Sequence, residues 1–233
     1  NIAENLLLRN DIDSFSDQAY QAEVLSQFSL IDTAGMLFAD SWSWGTTFLD
    51  YDNNTELDLF VSNGHWSPFG TTGRSDENRL YRKVSGLATF EDVSVQTGMA
   101  DAGVHRGCAA ADYDRDGDMD LVVVQYDSVG GSQRTMLMRN DGGNTNNWLE
   151  VELSGIVSNL DGIGSTVYIY VDGRVLMRQV DSGGSSYLSH HSKILHFGLG
   201  EYGMIDSVLV VWPNGNNQTV ESINTNQRLE IVE

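Results

Sequence analysis

The chain has 233 residues, 13 basic against 33 acidic, and a formal net charge of −20 at pH 7. Nucleic acid is excluded as a partner class, because neutralising phosphates needs clustered Lys and Arg rather than an excess of carboxylates. No apolar run is long enough to span a bilayer, the single Cys108 cannot close an internal disulfide, and two prolines against 24 glycines suit short strands joined by tight turns.

In chain order, Glu4-Asn5-Leu6-Leu7-Leu8-Arg9-Asn10 opens a strand, and a turn ends at Phe15-Ser16-Asp17. Gln18 to Ala34 mixes polar and apolar residues and fits a short helix or an inserted excursion. The strand Trp44-Gly45-Thr46-Thr47-Phe48-Leu49 then leads into Asp50-Tyr51-Asp52-Asn53-Asn54-Thr55-Glu56-Leu57-Asp58, and Leu59-Phe60-Val61 follows. Glu77-Asn78-Arg79-Leu80-Tyr81-Arg82 and Thr89-Phe90-Glu91-Asp92-Val93 repeat the opening half-unit. A second round runs through Arg106-Gly107-Cys108-Ala109-Ala110-Ala111, Asp112-Tyr113-Asp114-Arg115-Asp116-Gly117-Asp118-Met119-Asp120 and Leu121-Val122-Val123-Val124 to Arg134-Thr135-Met136-Leu137-Met138-Arg139-Asn140. The repeat is therefore strand, acidic loop, strand, strand, turn, strand. Four short strands per unit mark a propeller blade. Cys108 reads as a small buried strand residue rather than a reactive thiol.

The two acidic loops carry the chemistry. Hard cations such as Ca²⁺ take six to eight oxygen ligands, and a loop supplies them from alternate positions with a glycine where the chain turns sharply. In the second loop Asp112, Asp114 and Asp116 would give side-chain oxygens, Asp118 its carbonyl and Asp120 a closing carboxylate. In the first the set is Asp50, Asp52, Asn54, the Glu56 carbonyl and Asp58. The twelve-residue helix-loop-helix cage is excluded, since its closing acid would fall on Val123 and the flanks read as strands. Thr55 occupies the position of Gly117; if that position needs positive φ, a β-branched residue is costly there and the first site is the weaker one.

Beyond Asn147 the pattern changes. Trp148-Leu149-Glu150-Val151-Glu152-Leu153 alternates, Asn159 to Ser165 is a glycine turn, and Val167-Tyr168-Ile169-Tyr170-Val171 is closed by the hairpin signal Asp172-Gly173. Gln179-Val180, the Ser182-Gly183-Gly184-Ser185-Ser186-Tyr187-Leu188-Ser189 segment, Leu195-His196-Phe197-Gly198-Leu199-Gly200 and Val208-Leu209-Val210-Val211-Trp212-Pro213-Asn214-Gly215 complete the run.

Residues 44–64, in the form Trp-Gly-x-x-Phe-x-Asp-Tyr-Asp…Leu-Asp-Leu-Phe-Val-x-Asn-Gly, resemble the FG-GAP (VCBS-type) repeats of integrin α-subunit propellers; the second unit departs with Arg106-Gly107 and Gln125-Tyr126. The segment after Asn147 resembles the ASPIC/UnbV domain of cartilage-acidic-protein-like and bacterial secreted proteins. The two resemblances imply an all-β chain: about two and a half FG-GAP blades of a partial β-propeller over residues 1–146, then a sandwich-like ASPIC/UnbV β domain over 147–233. Closed propellers have four to eight blades, so the remaining blades, or further copies of the chain, are expected to complete the open edges. Asn1 is not an initiator Met, and the chain is expected to be processed or excised from something longer.

Histidines 65, 105, 190, 191 and 196 show no spacing of a zinc site or a triad, and the Ser182-Gly183-Gly184-Ser185 stretch is followed by no Lys, so it reads as a turn rather than a phosphate loop. His196, between Leu195 and Phe197, reads as structural. Trp42, Trp44 and Trp66 are candidates to stack on sugars or clamp a protein. Asn53 and Asn217 begin glycosylation sequons, the first inside a cation loop where a glycan would crowd the ion. Together these features predict a secreted or cell-surface, calcium-binding, non-catalytic adhesion or interaction module with a protein or glycan partner. The alternatives are a structural subunit forming filaments through open propeller edges, and part of a secreted carbohydrate-active enzyme.

Overall fold

The structure is a computed structural model that describes residues 8–10, 15–17, 29–31, 37–39, 42–64, 76–86, 89–126, 133–183 and 188–233, with side chains from residue 42 onward. His65, Trp66, residues 184–187 and most of the stretches 1–7 and 18–34 read above lie outside the described residues; within the latter, 29–31 is a strand. The described residues are all β apart from one turn of 3-10 helix at Gly143–Thr145.

The strands run β1 (Leu8–Asn10), β2 (Phe15–Asp17), β3 (Ser29–Ile31), β4 (Leu37–Ala39), β5 (Ser43–Leu49), β6 (Asp58–Asn63), β7 (Asp76–Glu77), β8 (Arg79–Lys83), β9 (Phe90–Asp92), β10 (Ala102–Gly103), β11 (His105–Ala111), β12 (Asp120–Gln125) and β13 (Arg134–Met138). They continue with β14 (Asn147–Ser154), β15 (Thr166–Val171), β16 (Arg174–Gln179), β17 (Leu195–Gly200), β18 (Met204–Val211), β19 (Asn217–Asn224) and β20 (Gln227–Val232). Each acidic loop joins two neighbouring strands of one sheet, β5 to β6 in the order β5-β6-β8-β9 and β11 to β12 in the order β11-β12-β13.

The chain divides into two compact units, and the division passes through the loops. Residues 1–48, 57–108 and 122–136 form one unit; residues 49–56 and 109–121 cluster with 137–233 in the other. In the first, Phe60, Val61, Leu80 and Tyr81 are buried, and Cys108 is buried with its thiol pushed up to about 12 by desolvation, which makes it inert at neutral pH. Trp44 Nε1 donates to the Gly64 carbonyl at 2.7 Å and one ring face is covered by the Arg106 guanidinium at 3.8 Å, so that face is taken by a cation–π contact. His105 is fully buried between the Asn63 carbonyl and Asp101, whose carboxylate also accepts from Arg134.

The second unit is built on alternation. Leu149, Val151 and Leu153 of β14 point to one side, as period two requires, and meet Val167, Ile169 and Val171 of β15 in a single buried cluster that also takes in Phe197, Val208, Val210 and Trp212. The sheets β17-β14-β20 and β16-β15-β18-β19 both contribute to that core, which makes the unit a two-layer sandwich. β14 pairs antiparallel with β17 and parallel with β20, Leu149 opposite Gln227 through Ser154 opposite Val232. Asp172 and Gly173 both take positive φ, +47° and +75°, and make the two-residue turn that pairs Val171 with Arg174. Glu150 points to the other face of β14 and is buried against Arg228 at 2.7 Å.

Core truncation is the check on this layering. Leu149→Ala removes a side chain with no exposure and is expected to cost about 2–5 kcal/mol in urea unfolding, whereas Val175→Ala on the exposed face of β16 is expected to fall within about 0.5 kcal/mol.

Candidate metal centre

The two loops share their left-handed positions and the pattern of their amide bonds. The fourth residue is left-handed in both, Asn53 at φ +55° and Arg115 at +65°, and so is the sixth, Thr55 at +85° and Gly117 at +96°. The first aspartate organises each turn by collecting amides. Asp50 Oδ1 accepts from Asn54 N–H at 2.9 Å and Oδ2 from Thr55 N–H at 2.8 Å; Asp112 Oδ1 accepts from Arg115 and Asp116 at 2.7 and 3.2 Å, and Oδ2 from Gly117 at 3.0 Å. The fifth residue repeats the bond two positions on, from Glu56 N–H to Asn54 Oδ1 at 2.8 Å and from Asp118 N–H to Asp116 Oδ1 at 3.0 Å. The ninth anchors the loop to the third strand of its sheet or just beyond: the Lys83 N–H donates to Asp58 and the Asn140 N–H to Asp120, each at 2.8 Å.

This frame converges carboxylates. Asp112, Asp114 and Asp116 can each place one oxygen within 4.8 Å of the others, and so can Asp50, Asp52 and Asp58. Neither trio includes Asp118, Asp120 or Glu56. Asp120 Oδ2 accepts from the Tyr113 N–H at 3.2 Å, and Asp118 is fully buried with Oδ2 accepting from the Gly143 N–H at 3.0 Å, while Asn54 Oδ1 faces the Glu56 amide. Burial is the first cause, and the neighbouring aspartates a further one, that pushes the carboxyl groups of Asp116 and Asp120 up and that of Asp118 to about 7. A cation among them would reverse the like-charge part of that cost. The donor set fits a hard dication: it is all oxygen, it is anionic, and Asp52 Oδ1 is buried without a hydrogen-bond donor.

Several residues that hold the loops have no periodic signature. Asn53 is fully buried; its Nδ2 donates to the carbonyls of Gly117 and Gly143 at 2.9 and 3.2 Å, and its own carbonyl accepts from the Gly200 N–H at 2.7 Å. That burial removes Asn53 as a glycan acceptor, while Asn217 is exposed. His196 Nε2–H donates to the Gly117 carbonyl at 3.1 Å, with the ring stacked on Trp148 and its pKa lowered to about 4 by burial, so it is a neutral strut. Asn140 Nδ2 reaches the Tyr51 carbonyl at 2.6 Å and Asn146 Nδ2 the Asp52 carbonyl at 2.8 Å. Glycine is required at two contacts: a Cβ on Gly117 would lie 2.0 Å from Trp148 Nε1, and one on Gly198 2.1 Å from Asp50 Oδ2.

Residues 155–233 match the family described as ASPIC and UnbV. That span covers most of the sandwich on which the loops are carried. Across a longer span the chain is similar to Cartilage acidic protein 1, at 30% identity over 188 residues to the Mus musculus and Homo sapiens proteins and 28% over 169 residues to that of Xenopus tropicalis. These alignments cover 78%, 78% and 71% of this chain but only 28%, 27% and 25% of the relatives, so the chain spans little more than a quarter of their length.

The sixth loop position separates the two loops in a measurable way. Thr55→Gly relieves a β-branched residue at φ +85° and is expected to stabilise by about 1 kcal/mol, whereas Gly117→Ala drives a methyl into Trp148 and is expected to cost roughly 2–4 kcal/mol, both read from urea midpoints at unchanged slope.

Proposed function

We propose that the chain is a calcium-stabilised, non-catalytic interaction module of an extracellular protein, with one cation in each acidic loop. The observation that carries this reading is the shared loop frame: two segments with different side chains adopt the same φ signs and amide bonds, and in each the frame crowds three carboxylates within 4.8 Å. Uncompensated, that crowding opposes folding; a dication offsets it. Asp112, Asp114 and Asp116 would hold the ion in the second loop and Asp50, Asp52 and Asp58 in the first, with Asn54 and the carbonyls of Glu56 and Asp118 completing the oxygen sets. The ion supplies charge and rigidity here, and the chain's residues orient the loop. Sites of this class fill where calcium is abundant, which supports an extracellular location, as does the likeness to a protein named for cartilage.

The repeats read as FG-GAP blades. β1 and β2 pair with the same register as β8 and β9, Leu8 opposite Asp17 as Tyr81 is opposite Asp92, and this recurrence supports a blade unit that the full-length polypeptide extends. The non-catalytic reading is supported by the histidines. His105 and His196 are buried in structural bonds, and His191 Nδ1 accepts from the Ala110 N–H at 3.1 Å. A protein or glycan at the cell surface remains the proposed partner class.

A thermal melt with Ca²⁺ and then with excess chelator tests the reading. Binding to the native state at a hundredfold excess over Kd stabilises by about 2.7 kcal/mol, so the midpoint is expected to fall by several degrees in chelator. Paired variants Asp52→Asn and Asp114→Asn are expected to lose that difference while keeping the far-UV spectrum; an identical melt of the parent protein in both conditions would overturn the proposal.

A further inference from the structure

One outer face of the sandwich breaks the alternation that builds its core. A sheet covered on one side carries polar residues on the other, and β17-β14-β20 obeys: Glu150 and Glu152 lie on the side of β14 away from the core and meet Arg228 at 2.7 and 3.8 Å. In β16-β15-β18-β19 the core side takes Val167, Ile169, Val208 and Val210, yet the outward positions between them are Tyr168 and Leu209, with Tyr170 beyond. Register sets these residues side by side. Tyr168 is opposite Met177 on β16 and Leu209 on β18, and Tyr170 is opposite Val175. Val175 and Met177 are 53% and 52% exposed, and Tyr170 37%.

Charge and size define what this face fits. Its cross-strand rows run from Gln179 to Asn217, from Met177 to Thr219 and from Val175 to Glu221, and Glu221 at a corner is their one charged residue, on a chain with 33 acidic and 13 basic residues. With strands about 4.8 Å apart and same-face residues about 6.6 Å apart, the platform measures roughly 14 by 13 Å. That is on the order of 200 Å², about a quarter of the ~800 Å² per partner in a stable protein–protein interface. The hydroxyls of Tyr168, Tyr170 and Thr219 and the side-chain amide of Asn217 have no hydrogen-bond partner among the described residues. The face therefore offers aromatic bodies together with unengaged polar tips.

We propose that the outer face of β16-β15-β18-β19 binds a short neutral oligosaccharide, with Tyr168 and Tyr170 against the C–H faces of its rings and Asn217, Thr219 and Gln179 supplying hydrogen bonds to ring hydroxyls. A sugar ring has an apolar face and a polar rim, and this surface has the matching pattern. Charge fixes the class of glycan. A sulfated or uronic-acid polymer meets no Lys or Arg in these rows, and a net charge of −20 opposes its approach, whereas an uncharged saccharide loses nothing by docking on a charge-poor platform. Area decides against a globular protein, since the platform is too small to hold one alone. The inference rests on the interaction-module reading and names its partner class, but it does not depend on a cation in the loops.

Amide and tyrosine-ring NMR of the whole chain tests it, titrated with neutral tetrasaccharides of glucose, mannose and N-acetylglucosamine and with a heparin tetrasaccharide as the anionic probe. At least one neutral probe is expected to shift residues 166–170, 175–179 and 207–211 saturably, and heparin is not. Tyr168→Ala is expected to weaken that binding about tenfold, and Tyr168→Phe, which keeps the ring, by no more than about threefold. Met177→Glu, at an exposed position opposite Tyr168, is expected to weaken it as Tyr168→Ala does while leaving the urea midpoint at the parent value, which separates lost binding from lost folding. Saturable binding of none of the neutral probes, heparin binding as well as they do, or a titration unchanged in Met177→Glu would overturn the proposal. Shifts of the same residues with protein concentration alone would place a second copy on the face and count equally against it. The titrations run with Ca²⁺ and with chelator. Sugar binding beside a melt indifferent to calcium would sink the calcium reading alone, and a calcium-shifted melt without sugar binding would sink this inference alone.

Discussion

The side-chain amide of Asn53 donates to the carbonyls of Gly117 and Gly143 while its backbone carbonyl accepts from Gly200. One fully buried residue thus bonds the first acidic loop to the second, to the 3-10 turn after β13, and to the end of β17. Removing a partner from such a site leaves polar groups buried without bonds, at roughly 1–3 kcal/mol each, and the three segments would lose their common reference. His196 and Asn140 reinforce the same node from β17 and from two residues beyond β13. The loops are accordingly fixtures of the sandwich unit as much as connections within their own sheets.

This scaffold explains why both loops keep one shape despite different side chains. The first aspartate of each loop accepts two or three amides, so its charge already has structural work before any ion is considered, and the ninth ties the loop to the strand or segment two connections later. What varies is the sixth position. Glycine takes its positive φ freely in the second loop; threonine does so under strain in the first.

Much of this was legible in the sequence because it is periodic. The alternation Leu149, Val151, Leu153 announced β14, Asp172-Gly173 announced the turn between β15 and β16, and the Asp-x-Asp-x-Asp spacing announced the carboxylate cluster. Even the cost at Thr55 followed from lining it up with Gly117. What could not be read were contacts between segments far apart in sequence. Nothing local marks Asn53 as a buried bridge, Gly198 as the gap that admits Asp50, or Trp148 as the wall above Gly117. The grouping of segments 49–56 and 109–121 with the sandwich likewise rests on such distant pairs, whereas a boundary placed at Asn146 follows the change of motif. Trp44 is held by a hydrogen bond to Gly64 and by the Arg106 guanidinium over its ring, which no alternation pattern encodes.

The parallel pairing of β20 with β14 carries a consequence for synthesis. Asn226, at φ +60° just before β20, clamps the backbone of Trp148 from both sides, accepting from its N–H at 3.1 Å and donating to its carbonyl at 2.7 Å. Trp148 in turn covers Gly117. A ribosome releases the loop and its indole cover long before it releases the residue that fixes the cover in place, and long-range strand pairing waits for both partners. In the nascent chain, therefore, the indole that packs on Gly117 stays unfixed until almost all of the sandwich has emerged.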